Sequence, residues 1–347
     1  MLCGLIMAGG KGQRLFPLST EKKPKQFLEL CEDNCTMIQS TFKRLCGVLP
    51  VERIFVITNE DYVQLVKEQL PELPESNIIP EPLSKSTSAA ILLSVLHIKG
   101  LNVEVKNIVI IPSDHLIGNE EKFCESINIA SQFISNNKNP TVLVGVPALN
   151  PNTAFGYIKC VGVSELKELQ VYKVEKFQEK PEPEIAKLFF ESKLYSWNTG
   201  ISVWSINTLL ESYIVHQPVL YKQISDCFEN GVEKVRLNHV YNNIESISID
   251  HAIIENLENC YMIQAHFDWD DLGSWSSIER NLFKDKMNNI LVGDIRIVSS
   301  SNSIVYAKEK PVILCNIDNL IVVETDDFIY VGNKDDHTGT NRNPNLC

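Results

Sequence analysis

The sequence predicts an α/β protein, with a helix-flanked sheet over most of the chain and a small all-β appendix at its end. Two observations carry this. Up to about residue 280, short runs rich in Ile and Val alternate with longer segments of helical periodicity. After Arg280 the texture changes: short strands recur between Asp, Asn, Ser and Gly, with almost no helical signal.

The strands expected in the first part are Leu2–Met7, Arg53–Thr58, Asn107–Ile111 and Thr141–Val146, each a continuous apolar run. Between them, Thr36–Cys46, Tyr62–Leu70, Ser88–Gly100 and Glu121–Ser135 read as helices. Continuous apolar strands alternating with helices imply a parallel sheet covered on both faces. Phe155–Ile158 and Trp197–Trp204 are expected on two insertions. The appendix runs from about Met287 to Val331, loosely solenoid in spacing but without a clean period. The domain division expected is 1–284 for the catalytic domain, 285–335 for the appendix and 336–347 for a polar tail.

With 347 residues, 44% apolar and 22% charged, the chain can bury a sizeable core. Its net charge of −12 argues against general binding to nucleic acid or to a membrane surface. No run approaches the eighteen or so apolar residues of a membrane helix. No charged region precedes the first apolar run, so a secretory signal is not expected. The ten cysteines form no CxxC pair and read as thiols in a reducing cytoplasm.

Against that acidic background, Met7–Phe27 reads MAGGKGQRLFPLSTEKKPKQF: a glycine-rich turn after the first strand, then a cluster of cations. Gly9, Gly10 and Gly12 let a phosphate approach the main chain, next to Ala8, and Arg14 and Lys25 add charge. Neither the P-loop Gly-Lys-Ser/Thr nor GxGxxG is present, which separates the turn from those nucleotide folds and from a dehydrogenase.

The stretch resembles the nucleotide-sugar pyrophosphorylases, whose signature is Gly-Gly-x-Gly-x-Arg-Leu-x-Pro-Leu followed by Lys-Pro-Lys. The Lys25-Gln26-Phe27 ending is similar to the bacterial mannose-1-phosphate guanylyltransferase branch, with Phe16 where most relatives have Trp. Further blocks follow in family order: EPLSKSTSAAI at 81–91, PSDH at 112–115, FGYIK at 155–159, FQEKP at 177–181, WNTGISVW at 197–204 and DWDDLGSW at 268–275. The resemblance implies a Rossmann-like, GT-A-like nucleotidyltransferase with a mixed sheet and a β-helix-like appendix.

It also implies the chemistry. A sugar-1-phosphate oxygen attacks the α-phosphorus of GTP and pyrophosphate leaves, so the protein must bring two polyanions together. Arg14 is expected on the triphosphate tail, Lys25 near the α-phosphate and Lys180 on the sugar phosphate. Mg²⁺ is the implied metal, on Asp114 and Asp271; Asp271 is preferred to its neighbour Asp270. Glu179 and Asn198, with the Gly156 main chain, are expected to read the sugar hydroxyls. Glu81 and Thr87 are expected on the guanine side. The segment departs from the family there, with Ser84 for Gly, Lys85 for Arg, Ser86 for Asn and Ala89-Ala90 where Pro-Ala is usual.

Asp250, in SISIDHAIIE, reads either as a helix cap or as a hydroxyl reader. His115 reads as an orienter of Asp114 or as a turn cap, and His251 is assigned no task. The four tryptophans read as packing residues.

The expected activity is therefore GDP-mannose formation from GTP and mannose 1-phosphate, for polysaccharide synthesis in the cytoplasm. Two alternatives stay open: the same chemistry on another hexose or heptose phosphate or nucleotide, and a non-catalytic regulatory homologue. A homodimer through the appendix is implied by the resemblance. The cupin-like isomerase domain of many relatives has no counterpart here, so isomerase activity is not expected.

Overall fold

A computed structural model describes residues 1–10, 15–30, 35–101, 104–161, 170–228 and 233–335. The chain packs as two compact units. The first comprises Met1–Gly9 and Glu29–Trp269; the second comprises Gly10–Leu28 and Asp270–Cys347. The catalytic domain expected at 1–284 thus takes in all of the first unit and part of the second.

The first unit opens with β1 (Leu2–Met7), α1 (Met37–Cys46), β2 (Ile54–Asn59), α2 (Val63–Gln69), β3 (Ile78–Glu81), α3 (Ser86–Gly100) and β4 (Asn107–Pro112). It continues with the short β5 (Leu116–Ile117), α4 (Glu120–Asn136), β6 (Thr141–Pro147), β7 (Tyr157–Cys160) and β8 (Val171–Gln178). Then come α5 (Pro183–Ser192), β9 (Tyr195–Ser205), α6 (Ile206–His216) and, after further short helices, β10 (Cys260–Gln264). Nine strands form one sheet in the order β3-β2-β1-β4-β9-β6-β10-β8-β7.

The apolar runs make the parallel part. β1 pairs in parallel with both β2 and β4, placing Leu5 beside Phe55 and Ile110, and β2 pairs in parallel with β3. These strands are buried on both faces, which is why they lack alternation. α3 is apolar nearly all round, because Ala89–Leu93 and Val95 are all buried in the main core. Ser94 lies within that buried helix by donating its hydroxyl to the Ala90 carbonyl at 2.7 Å.

The sheet is mixed, not all-parallel, and the two expected insertions are themselves strands. β9 runs antiparallel to β4, β6 and β7, and β8 antiparallel to β10 and β7. β9 hides its polar residues by pairing them. Thr199 donates to the Val144 carbonyl at 2.7 Å, Ser196 to Gln264 at 2.6 Å, and the Trp204 indole to Ser202 at 2.8 Å. Between Leu143 and Gly145 the β6–β9 register shifts, and Gly200 there adopts φ +73°. A glycine suits that left-handed turn in a bulged strand.

In the second unit, Ser274 caps a helix at Trp275–Asn281. The strands Ile290–Val292, Ile304–Tyr306 and Leu320–Glu324 then stack in parallel, and Ile295–Val298 pairs in parallel with Val312–Cys315. Ile290, Ile304 and Ile321 share one register, fourteen and then seventeen residues apart, so the turns coil regularly while the sequence shows no period. At one corner the side-chain amides form a ladder: Asn288 donates to Asn302, Asn302 to Asn319, and Asn319 to Asn333, each at 3.0 Å. The first three of these asparagines have positive φ, a conformation asparagine tolerates best among non-glycine residues. Ile329–Asn333 ends the stack by pairing antiparallel to Leu320–Glu324.

Residues 15–28 pack into this second unit. The Phe16 ring lies 6.2 Å from that of Phe328 and 6.1 Å from that of Tyr330, and the Trp275 indole donates to the Phe16 carbonyl at 3.0 Å. Lys22 pairs with Asp327 at 3.1 Å.

Among the described residues, no helix is long and apolar enough to cross a membrane. None of the eight described cysteines is in a disulfide.

Candidate active site

The carboxyl ends of β1, β2 and β3 hold the first group of expected residues. The Ala8 amide donates to the Ile57 carbonyl, and the Thr58 hydroxyl donates to the Ala8 carbonyl at 2.9 Å. Ser84 donates to the Gly9 carbonyl at 3.1 Å. Glu81 ends β3 and is buried; a Cβ on Gly9 would stand 3.2 Å from its Oε2. Its Oε1 is buried with no hydrogen-bond partner among the described residues. Burial pushes this carboxyl up to about 8, against the pull of the Lys85 main-chain amide. A buried carboxyl with an idle oxygen is costly, and a ligand donor would relieve it.

The altered segment after Glu81 is tied inward. Lys85 donates its ammonium to the Ile244 carbonyl at 3.0 Å, and the Thr87 hydroxyl accepts from the Ile249 amide at 2.8 Å. Thr87 therefore holds the chain near Asp250, a role its sequence position did not suggest. Ser86, at the family's Asn position, sits at φ +68°.

The second group comes from β7, β8, β9 and the short helix Ile249–Ala252. The Asn198 main-chain N–H donates to the Gly156 carbonyl at 2.8 Å. A Cβ on Gly156 would meet Glu179 Oε2 at 2.6 Å and the Asn198 Cβ at 3.3 Å, so glycine leaves the room these side chains occupy. Lys180 pairs with Glu179 at 3.1 Å, the lysine more than half exposed and the glutamate nearly buried. Gly156, Glu179, Lys180 and Asn198 are thus brought together.

Two further carboxylates complete this cluster: Glu255, which the sequence did not single out, and Asp250, left open between cap and hydroxyl reader. Glu255 accepts from the Glu179 main-chain amide at 2.9 Å and pairs with His251 at 3.3 Å. Asp250 accepts from the Asn198 side chain at 3.0 Å. It is not the helix cap; Ser248 is. Asp250 keeps some accessible surface, but its carboxyl is densely surrounded, and burial followed by the nearby Glu179 charge pushes it up to about 7. His251 preceding Glu255 by one helical turn was a signal for that pair; nothing local marked the Asn198–Asp250 bond.

Asp114 follows β4. His115 Nε2 lies 3.9 Å from an Asp114 oxygen, and its Nδ1 accepts from the Trp269 indole at 3.3 Å. Because the indole only donates, the neutral ring carries its proton on Nε2, the nitrogen facing Asp114. Trp269 also meets Phe155 edge-on, and Phe155 meets Trp197, so these rings pack, as expected.

In the second unit, Lys25 is buried and its ammonium donates to the Asp271 carbonyl. Gln26 donates to the Gly10 carbonyl at 3.0 Å. Asp270 is bound to Arg280 at 3.0 Å, whereas the Asp271 carboxylate accepts from the Gly273 amide at 3.0 Å and has no cationic side chain on it among the described residues. Gly12 and Arg14 lie outside the described residues.

The family model described as nucleotidyl transferase matches residues 3–286, and the chain belongs to that family of enzymes. Its curated relatives include mannose-1-phosphate guanylyltransferase 2 of Escherichia coli O157:H7, 33% identical over 96% of this chain and 71% of its own. The alginate biosynthesis protein AlgA of Pseudomonas aeruginosa is 30% identical over 95% of this chain and 69% of its own. A solved structure named mannose-1-phosphate geranyltransferase, from Thermus thermophilus, matches with a TM-score of 0.84 at 28% identity, covering 97% of this chain and 96% of that one. Nucleotidyltransferases of this family generally use a divalent metal.

Proposed function

We propose that this chain transfers GMP from GTP to α-D-mannose 1-phosphate, releasing pyrophosphate and forming GDP-mannose. The observation that carries it is the convergence of Gly156, Glu179, Lys180 and Asn198, which combines hydroxyl readers with a phosphate cation. Glu179 and Asn198 bind and orient the sugar while Lys180 draws in its phosphate. The Glu81 carboxyl, with Oε2 beside Gly9 and Oε1 without a partner among the described residues, suits the N–H donors of a guanine edge. Ala8, Gly9, Gly10 and Gly12 offer main chain to the nucleotide; Arg14 and Lys25 neutralise its phosphates.

The metal proposed is Mg²⁺. Asp114 and Asp271 fit it as hard oxygen donors, Asp271 because, unlike Asp270, no cation neutralises it among the described residues. When bound, the ion would offset charge on the phosphates and on the departing pyrophosphate. The reading places the enzyme in the cytoplasm, in a route to polysaccharide.

The test is pyrophosphate release with Mg²⁺ across four nucleoside triphosphates and a panel of sugar 1-phosphates, with Lys180→Ala alongside. Release with GTP and mannose 1-phosphate, weakened in the variant, supports the reading. The inward-tied Lys85 favours one rival, the same chemistry on a different pair, and release with that pair would replace the substrates named here. Nucleotide-sugar binding without any release would point to a regulatory homologue.

A further inference from the structure

We propose that Asp250 is the positioning residue of the sugar pocket, holding the Asn198 side-chain amide in one of its two orientations; this rests on the sugar reading above. An asparagine amide has nearly the same shape when flipped, but flipping exchanges a donor for an acceptor. A hydroxyl reader therefore needs something to choose its face. Here two independent contacts agree. The Asn198 nitrogen donates to Asp250 Oδ1 at 3.0 Å, and the Asn198 oxygen accepts from the Gly200 amide at 3.2 Å. The Gly200 contact is local and long. Asp250 comes from a separate element fifty-two residues away and offers an oxygen acceptor in whichever protonation state it holds. One N–H of the Asn198 amide stays uncommitted among the described residues, available to a sugar hydroxyl.

The support behind Asp250 is built. Ser248 caps its short helix, and Thr87 receives the Ile249 amide at 2.8 Å. The charged groups around Asp250 are Glu179, Lys180 and His251, with Glu255 bridging His251 and the Glu179 main chain.

The experiment compares D250L, D250N, N198A and the double variant D250L/N198A, reading KM for sugar phosphate and triphosphate separately. N198A first tests the sugar reading: an unchanged sugar-phosphate KM would sink that reading, and this inference with it. If N198A weakens sugar binding, D250L is expected to raise the sugar-phosphate KM about tenfold and leave the triphosphate KM alone. The double variant should be no worse than N198A, because the effect runs through Asn198. D250N keeps an acceptor oxygen and should stay within about twofold of the native enzyme at pH 7. Penalties that multiply in the double variant, or an unchanged KM in D250L, would overturn the proposal. Should D250L not fold, a D250N enzyme as weak for sugar as N198A would overturn it equally.

Discussion

Glu81 Oε2 lies 3.2 Å from where a Cβ on Gly9 would stand, so the β3 carboxylate and the β1 turn occupy one another's space. The Glu81 carboxyl is raised from 4.5 to about 8, and that of Asp250 from 3.8 to about 7, each first by burial. A raised carboxyl contributes stability that is fully present below its unfolded value and is lost as pH rises through the folded one. The melting temperature should therefore fall from about pH 4 to about pH 8. E81Q should remove the share lost between pH 4.5 and about pH 8, and D250N the share lost between pH 3.8 and about pH 7. Thermal melts at half-unit steps check this; an E81Q curve parallel to the native one rules out the Glu81 share.

Ser86 occupies φ +68° at the start of α3. A left-handed serine costs about 1 kcal/mol relative to glycine. S86G should therefore raise stability by about 0.5–1 kcal/mol, seen as a higher urea midpoint at constant slope. S86V should lower it. A destabilised S86G would mean that the serine side chain supplies something its geometry does not reveal.

Asp270 and Asp271 are adjacent and should behave differently. D270N breaks an ion pair with the exposed Arg280, worth about 0–1 kcal/mol, and should leave the metal requirement intact. D271N removes the proposed metal carboxylate and should cut kcat by at least about a hundredfold, while raising the Mg²⁺ needed for half activity. Mg²⁺ titrations of both variants decide it, and reversed phenotypes would reassign the ligand.

Asn302 both donates within the amide ladder and accepts from Asn288 and from Lys334 at 2.7 Å, at φ +53°. N302A loses the ladder and strains the backbone, an expected cost of about 2–3 kcal/mol. N302G should lose only the ladder part, about 1–2 kcal/mol. Urea unfolding of the pair separates the two contributions; equal losses would remove the backbone share.

The parallel strands were legible because burial on both faces leaves an apolar run, and β1 begins and ends at the expected Leu2 and Met7. β8 was missed because it is mostly half-exposed, and β9 because its buried Ser, Asn and Thr residues look like loop residues until their partners are known. The positions of Gly156, Glu179, Lys180 and Asn198 were legible through family blocks, since each block carries its motif locally. What those residues touch was not. The bond from Asn198 to Asp250 spans fifty-two residues and that from Glu179 to Glu255 seventy-six, and no local pattern encodes either. Thr87 was expected on the guanine side; that its hydroxyl also accepts from the Ile249 amide was not legible, because Ile249 lies in a distant part of the chain.

Residues 15–28 follow the first strand in the chain, yet Phe16 rests on Phe328 and Tyr330. Synthesis and packing therefore run in opposite order for this segment. At about 5–20 residues per second, a ribosome needs roughly 3–12 s to go from Trp269 to Tyr330. Throughout that interval the sheet unit is complete in sequence, while Phe16 still lacks its aromatic seat. The contacts that seat Phe16 therefore form only after the final quarter of the chain has emerged.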